Sequence, residues 1–278
     1  MKRMLAVVAA ALCASAAMLP GHATAQTPDE WQLSDSWRVG AAVYAWLPDV
    51  RLKAILPPSG PISDTRIAFN QVLEHLMMGF AGGLEAQKGR WGAFTDVMYM
   101  RLGDTPSKTR DFSLGTGPLP ADVSAGVTVD EMKATIWTLA GSYRAVASPE
   151  AVLDVLAGAR LFDVSVNQSW QLAGNIGPIP LPGRSGSGEA SSSRWDAIIG
   201  VRGRFALSAD RTWFVPYHLD AGTGDSRLTW QALGGIGHAF NWGDITASWR
   251  YLAYDNKSGK AIQEASMSGP NIAFIFHW

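Results

Sequence analysis

From Trp37 to Trp278 the chain runs through segments in which apolar and polar residues alternate, and tight and long connections take turns between them. The segments lie near 37–47, 77–87, 91–102, 128–146, 151–166, 194–207, 212–221, 228–240, 244–254 and 263–278. A period of two is the mark of a strand with one apolar and one polar face. The tight connections are Lys88-Gly89-Arg90, Ser148-Pro149-Glu150, Ser208-Ala209-Asp210-Arg211 and Asn241-Trp242-Gly243, built from residues that turn geometry selects. The long ones cover 48–76, 103–127, 167–193, 222–227 and 255–262. An even set of about ten strands, with all short connections at one end, is the layout of an up-and-down barrel that closes on itself.

Such a barrel buries its apolar face inside when it sits in water and turns it outward when it sits in lipid. In 195–207, Trp195, Ala197, Ile199, Val201, Phe205 and Leu207 share one face, and Asp196, Arg202 and Arg204 the other. In 213–220, Trp213, Val215, Tyr217 and Leu219 oppose His218 and Asp220. Aromatic placement separates the two cases. Trp91, Trp213, Tyr143, Trp242, Phe276 and Trp278 fall at the short-turn ends of their strands, and Trp46, Tyr99, Trp195, Trp230 and Tyr251 toward the long-loop ends. Two aromatic levels correspond to two membrane–water interfaces. No apolar run of 18 residues follows Ala25, which leaves the closed barrel as the way to satisfy every backbone polar group in hydrocarbon. The expected fold is therefore all-β: a closed, antiparallel, transmembrane barrel of about ten strands, with short periplasmic turns and long extracellular loops.

The last strand carries a further mark. Ile272, Phe274, Phe276 and Trp278 share one face, and the strand ends on an aromatic residue in phase with it. This looks like the C-terminal signal read by the bacterial barrel-assembly machinery. Together with the hairpin from Gly83 to Tyr99, Gly-Leu-Glu-Ala-Gln-Lys-Gly-Arg-Trp-Gly-Ala-Phe-Thr-Asp-Val-Met-Tyr, and the layout of the whole mature chain, it resembles a family of proteobacterial outer-membrane β-barrel proteins, porin-like in layout and mostly uncharacterised. The resemblance implies a fold and a location, and hardly any activity. The implied partners are outer-membrane lipid and the assembly machinery.

The first residues agree with export. Lys2 and Arg3 precede an apolar stretch from Met4 to Leu19, and Ala23-Thr24-Ala25 forms a small-x-small cleavage site, so cutting is expected between Ala25 and Gln26. The expected organisation is a signal peptide over 1–25, a periplasmic segment over 26–36 and the barrel over 37–278, with both ends of the mature chain in the periplasm. The single cysteine, Cys13, lies in the leader, so the mature chain has no disulfide. Without Lys2 and Arg3 the 23 basic residues become 21 against 24 acidic, a formal charge of −3 that gives no sign of a nucleic-acid partner. Overall, 47% of residues are hydrophobic, which by itself fits a soluble domain as well; the ordering of residues decides the class.

No phosphate loop, His-Glu-x-x-His helix or nucleophile elbow is present, and no metal or cofactor is expected. Gly234, Gly235 and Gly237 sit in a strand, where they relieve crowding in a curved wall. If the apolar faces meet lipid, Arg38, Glu85, Asp96, Asp154, Arg160, Arg202, Arg204, Asp220 and Arg250 point into the lumen. A barrel of about ten strands lies near the side-chain-filled end of the size range, so a structural ion network is expected, with a small charge-selective channel as the other use of such a lining. His218-Leu219-Asp220 near the extracellular rim is a candidate general-base pair; omptin-class proteases place His and Asp at the top of a ten-stranded barrel, with Asp96 and Asp104 as loose candidates here for the accompanying pair. In the first long link, Phe69, Val72, Leu73, Leu76 and Met77 follow helical spacing, so a short helix over 69–77 is expected to cap the mouth, plug it or lie on the rim, with Ser63 or Asp64 beginning the approach to it. The links 103–127 and 171–193, rich in Gly, Pro and Ser, are expected to be mobile.

Three functions follow: an outer-membrane barrel that is structural or a small porin-like channel with a largely filled lumen; a rim-site hydrolase using His218 and Asp220; and a soluble periplasmic ligand-binding barrel. N-terminal sequencing of the exported protein is expected to begin at Gln26.

Overall fold

The computed structural model describes residues 33–55, 62–106, 110–114, 121–176, 179–257 and 262–278. The leader and the Ala25–Gln26 cleavage position lie outside the described residues. Those residues form thirteen strands and one helix: β1 (Arg38–Trp46), β2 (Asp49–Ile55), β3 (Ile62–Ile67), α1 (Phe69–His75), β4 (Leu76–Lys88), β5 (Trp91–Pro106), β6 (Arg110–Leu114), β7 (Ala121–Ala147), β8 (Ala151–Ile176), β9 (Ile179–Ala206), β10 (Trp213–Gly224), β11 (Ser226–Phe240), β12 (Gly243–Asn256) and β13 (Ile262–His277). Among them no helix is long and apolar enough to cross a membrane.

Ten of the strands close a barrel. The order β1-β4-β5-β7-β8-β9-β10-β11-β12-β13 returns to β1 through the antiparallel ladder from Gly40↔His277 to Trp46↔Asn271. Every ladder is antiparallel, and the four tight connections, Arg38 and Trp278 all lie at one end. We name this the turn end and the opposite one the loop end. Gly89 takes a φ of +57° with open space where a Cβ would sit, so the β4–β5 turn uses glycine for its backbone and not for room. In the turn after β9, Thr212 donates its N–H and its hydroxyl to the Asp210 carboxylate. Hydrogen bonds from Ser208 and Thr212 hold that carboxyl below its ordinary value.

The loop end is more regular than the composition of its links suggests. β7, β8 and β9 have 27, 26 and 28 residues, roughly 90 Å each at 3.3 Å per residue, against the roughly 9–11 residues that cross a bilayer. β5 leaves β7 at Pro106↔Thr128 and β10 leaves β9 at Gly224↔Asp196. Beyond those points β7, β8 and β9, with β6 on the β7 edge, continue as a projecting blade. Much of 103–127 and 171–193, expected as mobile loop, is thus paired strand, because the backbone there bonds across the ladder. The 222–227 link shrinks to Asp225 alone between β10 and β11. The first link holds β2, β3 and α1. β2 continues β1 past a break at Leu47-Pro48, since both pair antiparallel with β13. Ser63 and Asp64 lie in β3, the strand that leads into α1 after Ala68.

The outer wall is apolar. Trp37, Trp91, Tyr143, Trp213, Trp242 and Trp278 ring the turn end, and Trp137, Trp195, Trp230 and Trp249 form a second level, with Leu84, Leu139, Ile199, Leu219, Ile236 and Ile272 exposed between them. Trp46 departs from the expected girdle: it faces the lumen and is 7% exposed, because β1 carries its even-numbered residues inward with Arg38. The terminal face is as expected, with Ile272 and Trp278 exposed outward and Phe276 stacked against Trp278.

Inside, β5, β7 and β12 change character along their length. β12 turns Asp244, Thr246 and Arg250 inward near the turn end, then Leu252 and Tyr254; β5 turns Phe94 and Asp96 inward, then Met98, Met100 and Leu102; β7 turns Arg144, Ser142 and Thr138 inward, then Ile136, Ala134 and Met132. The loop-end half of the lumen therefore holds an apolar core, closed by Val50, Leu52 and Ile67 of the β2–β3 hairpin and Val72 of α1, and beside it β9, β11 and β12 bury Arg194, Asp196, Ser226, Thr229 and Asn256. Close strand approach makes room for large inward rings: a Cβ on Gly237 would sit 2.4 Å from the Phe214 ring, and one on Gly235 2.2 Å from the Ala247 carbonyl, so the expected crowding holds at these two positions and not at Gly234, where a Cβ would meet nothing within 4 Å. Gly237→Val is expected to destabilise the barrel by about 1–3 kcal/mol through overpacking, read as a lower urea midpoint in detergent, with part of the loss recovered by adding Phe214→Leu.

Candidate functional site

The polar half of the lumen surrounds a cavity of about 320 Å³. Its ceiling is an ionic layer immediately beneath the apolar core. Arg160 on β8 and Asp220 on β10 face each other across the wall, Nη1–Oδ1 2.8 Å and Nη2–Oδ2 2.5 Å, with both side chains fully buried. The Arg160 Nε–H donates to Thr138 Oγ1 at 3.2 Å. Beside this pair, Arg250 donates to Gln231 Oε1 at 2.8 Å, to the Tyr44 hydroxyl at 3.0 Å and to Asp96 at 3.3 Å. Its guanidinium lies 4.7 Å from the centre of the Trp46 ring. A planar cation with several donors suits this position, where one side is aromatic and the other polar.

A second layer lies toward the turn end. Arg144 Nε and Nη2 clasp Asp154 at 2.8 and 3.2 Å. Arg202 reaches Glu85 at 3.0 Å and stacks over Phe94 at 4.2 Å. Arg204 donates to Asp244 at 3.1 Å, and His277 lies 3.2 Å from the same carboxylate oxygen. Arg38 lines a smaller cavity of about 40 Å³ at the turn-end mouth, with Glu85, Gln87, Arg144, Arg204 and His277.

All nine inward charges expected from the sequence therefore line or seal this lumen. Arg144, Asp244, His277, Gln231 and Tyr44 belong to the same network and were not anticipated. Asp244 adjoins the tight turn before β12, and Arg144 stands where the alternation loosens over the last turn-end residues of β7. Tyr44 follows Arg38 at even spacing, a signal that parity alone provides. The inward polar face expected from the alternation gives way in the loop-end half of β5, β7 and β12, where apolar residues stand on both faces of the wall.

His218 is displaced from its expected place. It stands midway along β10, in the cavity wall beneath the apolar core, not at a rim. Its Nε2 is 2.7 Å from Asp220 Oδ2, and its ring meets Phe94 edge-on at 6.3 Å. A His–Asp pair orients an imidazole well, but Arg160 already neutralises this carboxylate on both oxygens, which weakens its pull on the ring. Asp96 is engaged with Arg250, and the Asp104 side chain lies outside the described residues. Among the described residues no three His, Cys, Asp or Glu side chains gather as metal ligands.

α1 combines two of its expected positions. Val72 is buried in the core, while Phe69 and Leu73 face outward; Leu76 packs on the core from β4, and Met77 is exposed on that strand. Asp49 holds its start, accepting from the Phe69 N–H at 2.8 Å and from Arg66 at 2.7 Å.

No family model and no curated protein matches the sequence. Among solved structures, the chain is similar to the outer membrane protease OmpT from Escherichia coli, with a TM-score of 0.54 and 7% identity over 89% of this chain and 98% of that one. Lower-scoring similarities include the attachment invasion locus protein Ail of Yersinia pestis, TM-score 0.29, 10% identity, over 87% of this chain and 99% of that one. The Pseudomonas putida toluene transporter TodX matches with a TM-score of 0.32 and 10% identity, over 93% of each chain. At these identities the likeness is one of fold: the chain has the closed barrel fold of outer-membrane proteins.

Removing one partner of the ceiling pair leaves a buried charge without compensation. Arg160→Met is expected to cost about 3–5 kcal/mol, and Arg160→Met with Asp220→Leu to recover most of it, measured by urea unfolding in detergent followed through tryptophan fluorescence.

Proposed function

We propose that this protein is an integral outer-membrane barrel that does not conduct, with a blind vestibule open to the periplasm and a β-blade held outside the cell. The observation that carries this is the packed core: Leu102, Met132, Ile136, Phe162, Val164 and Leu252, each no more than 2% exposed, pack between the ionic ceiling and the loop end, and the buried Asp196, Ser226 and Asn256 beside them bond to one another and not to a channel. An aqueous path for ions needs polar walls or water along its whole length. The outward apolar belt with its two aromatic levels supports insertion in a bilayer. In that setting the turn end, with its short connections and both barrel termini, faces the periplasm, and the paired charges of the vestibule serve as internal struts that keep a narrow barrel rigid.

The other two readings gain less from the geometry. A rim hydrolase needs His218 and Asp220 in reach of an external substrate, and they lie beneath the apolar core with the carboxylate clasped by Arg160. A soluble ligand-binding barrel would leave the large outward apolar residues in water, far beyond the few hundred Å² that soluble surfaces tolerate in one patch.

Planar-bilayer recording tests the proposal. The wild-type barrel is expected to give no conductance steps, and Arg202→Ala with Arg204→Ala is expected to stay silent, because the seal is the core and not the lower ionic layer. Combined Met98→Ser, Met100→Ser and Leu102→Ser is expected to admit ions. Sustained steps in the wild type overturn it.

A further inference from the structure

The wall of the barrel is not bonded all the way round. β1 and β4 are paired from Arg38↔Gln87 to Val43↔Gly82, six residue pairs at the turn end. Above them, Tyr44, Ala45 and Trp46 pair with β13 alone, and Leu76 and the residues from Met78 to Ala81 pair with β5 alone. β3 pairs only with β2. Among the described residues, therefore, no strand ladder crosses from the β1–β3 side to β4 over the loop-end half. An antiparallel strand sends alternate N–H and C=O groups to each side, so opening this seam breaks no ladder hydrogen bond.

α1 spans the gap from Ile67 to Leu76, in contact with β2 and β5. Val72 is its one buried side chain, since Phe69 and Leu73 are 50% and 39% exposed, and Asp49 holds its first turn. The surfaces on both sides of it are apolar. Outside, Met77, Met78 and Phe80 continue the lipid-facing belt; inside lies the core, in which Met98, Met100, Met132 and Met267 are each no more than 5% exposed. Methionine is unbranched and deformable and repacks around a guest at small cost. The small residues Ala45 and Gly79 leave the seam thin, and a Cβ on Gly79 would meet nothing nearer than Leu76 at 3.5 Å.

We propose that the seam between α1 and β4 is a lateral binding site for one alkyl or acyl chain of a molecule dissolved in the surrounding bilayer, which lodges against the methionine-rich core. This rests on the membrane insertion proposed above. A chain coming from water at the turn end meets two ionic layers, whereas one coming from lipid meets apolar surface throughout.

Single-cysteine labelling of the full chain, in a Cys13→Ser background and reconstituted in phosphatidylcholine vesicles, tests the site. The probes are N-dodecylmaleimide and a charged methanethiosulfonate sulfonate, read by mass spectrometry. Ile199→Cys on the outer wall reports lipid exposure. Met100→Cys lies behind the seam, and Leu156→Cys is equally interior but belongs to a separate apolar cluster away from it. The expected result is labelling of Ile199→Cys by the dodecyl reagent, and labelling of Met100→Cys at least about tenfold faster than Leu156→Cys, a difference set by local opening, with the charged reagent inert at Met100→Cys. Met98→Cys replaces Met100→Cys if the latter loses the heat-modifiable gel shift of the folded barrel.

Equal rates at the two interior positions overturn the site, because opening is then general. Reaction of Met100→Cys with the charged reagent overturns it in favour of an aqueous path. Disulfide dimers of Phe80→Cys with Met100→Cys unlabelled overturn it in favour of a contact between two copies. Absence of labelling at Ile199→Cys overturns membrane insertion itself and the site with it.

Discussion

The ionic ceiling formed by Arg160 with Asp220 and by Arg250 with Asp96, Gln231 and Tyr44 divides the barrel into a wet half and a dry half. Charges at such a boundary are costly to desolvate, and they are tolerated only where nearly every donor has an acceptor. Arg160 meets that condition through two carboxylate oxygens and a threonine hydroxyl, and Arg250 through an amide, a phenol and a carboxylate. With the layer in place, the residues above it need no water and those below it share a cavity. The turn-end cavity and the buried position of His218 both follow from where that layer lies.

Much of this was written in the sequence, and the parts that were not have physical reasons. Strand positions, the even count and the alternation of short and long connections are legible because turns demand Gly, Pro, Asn and Asp, and because a wall with unlike faces repeats every two residues. The same rule hides the dry core. Where β5 passes from Asp96 to Met98, Met100 and Leu102, both faces are apolar and the pattern vanishes; only parity, counted from Asp96, says which methionines look inward. Parity also places Trp46 with Arg38 and not with the outer girdle. Asp244 escaped because it adjoins the tight turn before β12, and Arg144 because the alternation loosens over the last turn-end residues of β7. The blade escaped for another reason: Ser- and Gly-rich stretches such as 185–193 have loop composition, yet they are held as strand by the neighbours they pair with, a context that local propensity does not contain.

The likeness to OmpT is one of fold, and the chemistry here must be argued from the site. A fold hosts many activities, and the side chains grafted on it decide between them. In this lumen the candidate pair His218 and Asp220 is tied into the ceiling: the aspartate that would tune the histidine is also the counter-ion of a buried arginine. The pair is therefore part of the partition as well as a His–Asp couple.

The closing ladder between β1 and β13 has a temporal meaning. Apart from the closing partners, the barrel strands that pair are consecutive in the barrel order, so their hairpins can form while the chain is still arriving. The pairing of Gly40 with His277 waits for the last strand to be delivered. The entropy of closing so long a loop is modest, because it grows only with the logarithm of length, and seven residue pairs along the ladder offset it. Until that moment β1 and β13 are both open edges, the most association-prone surfaces a sheet can present. The aromatic face of Ile272, Phe274, Phe276 and Trp278 thus belongs to the strand on which completion waits, and its exposure time is set by delivery of the chain and not by the strength of the finished wall.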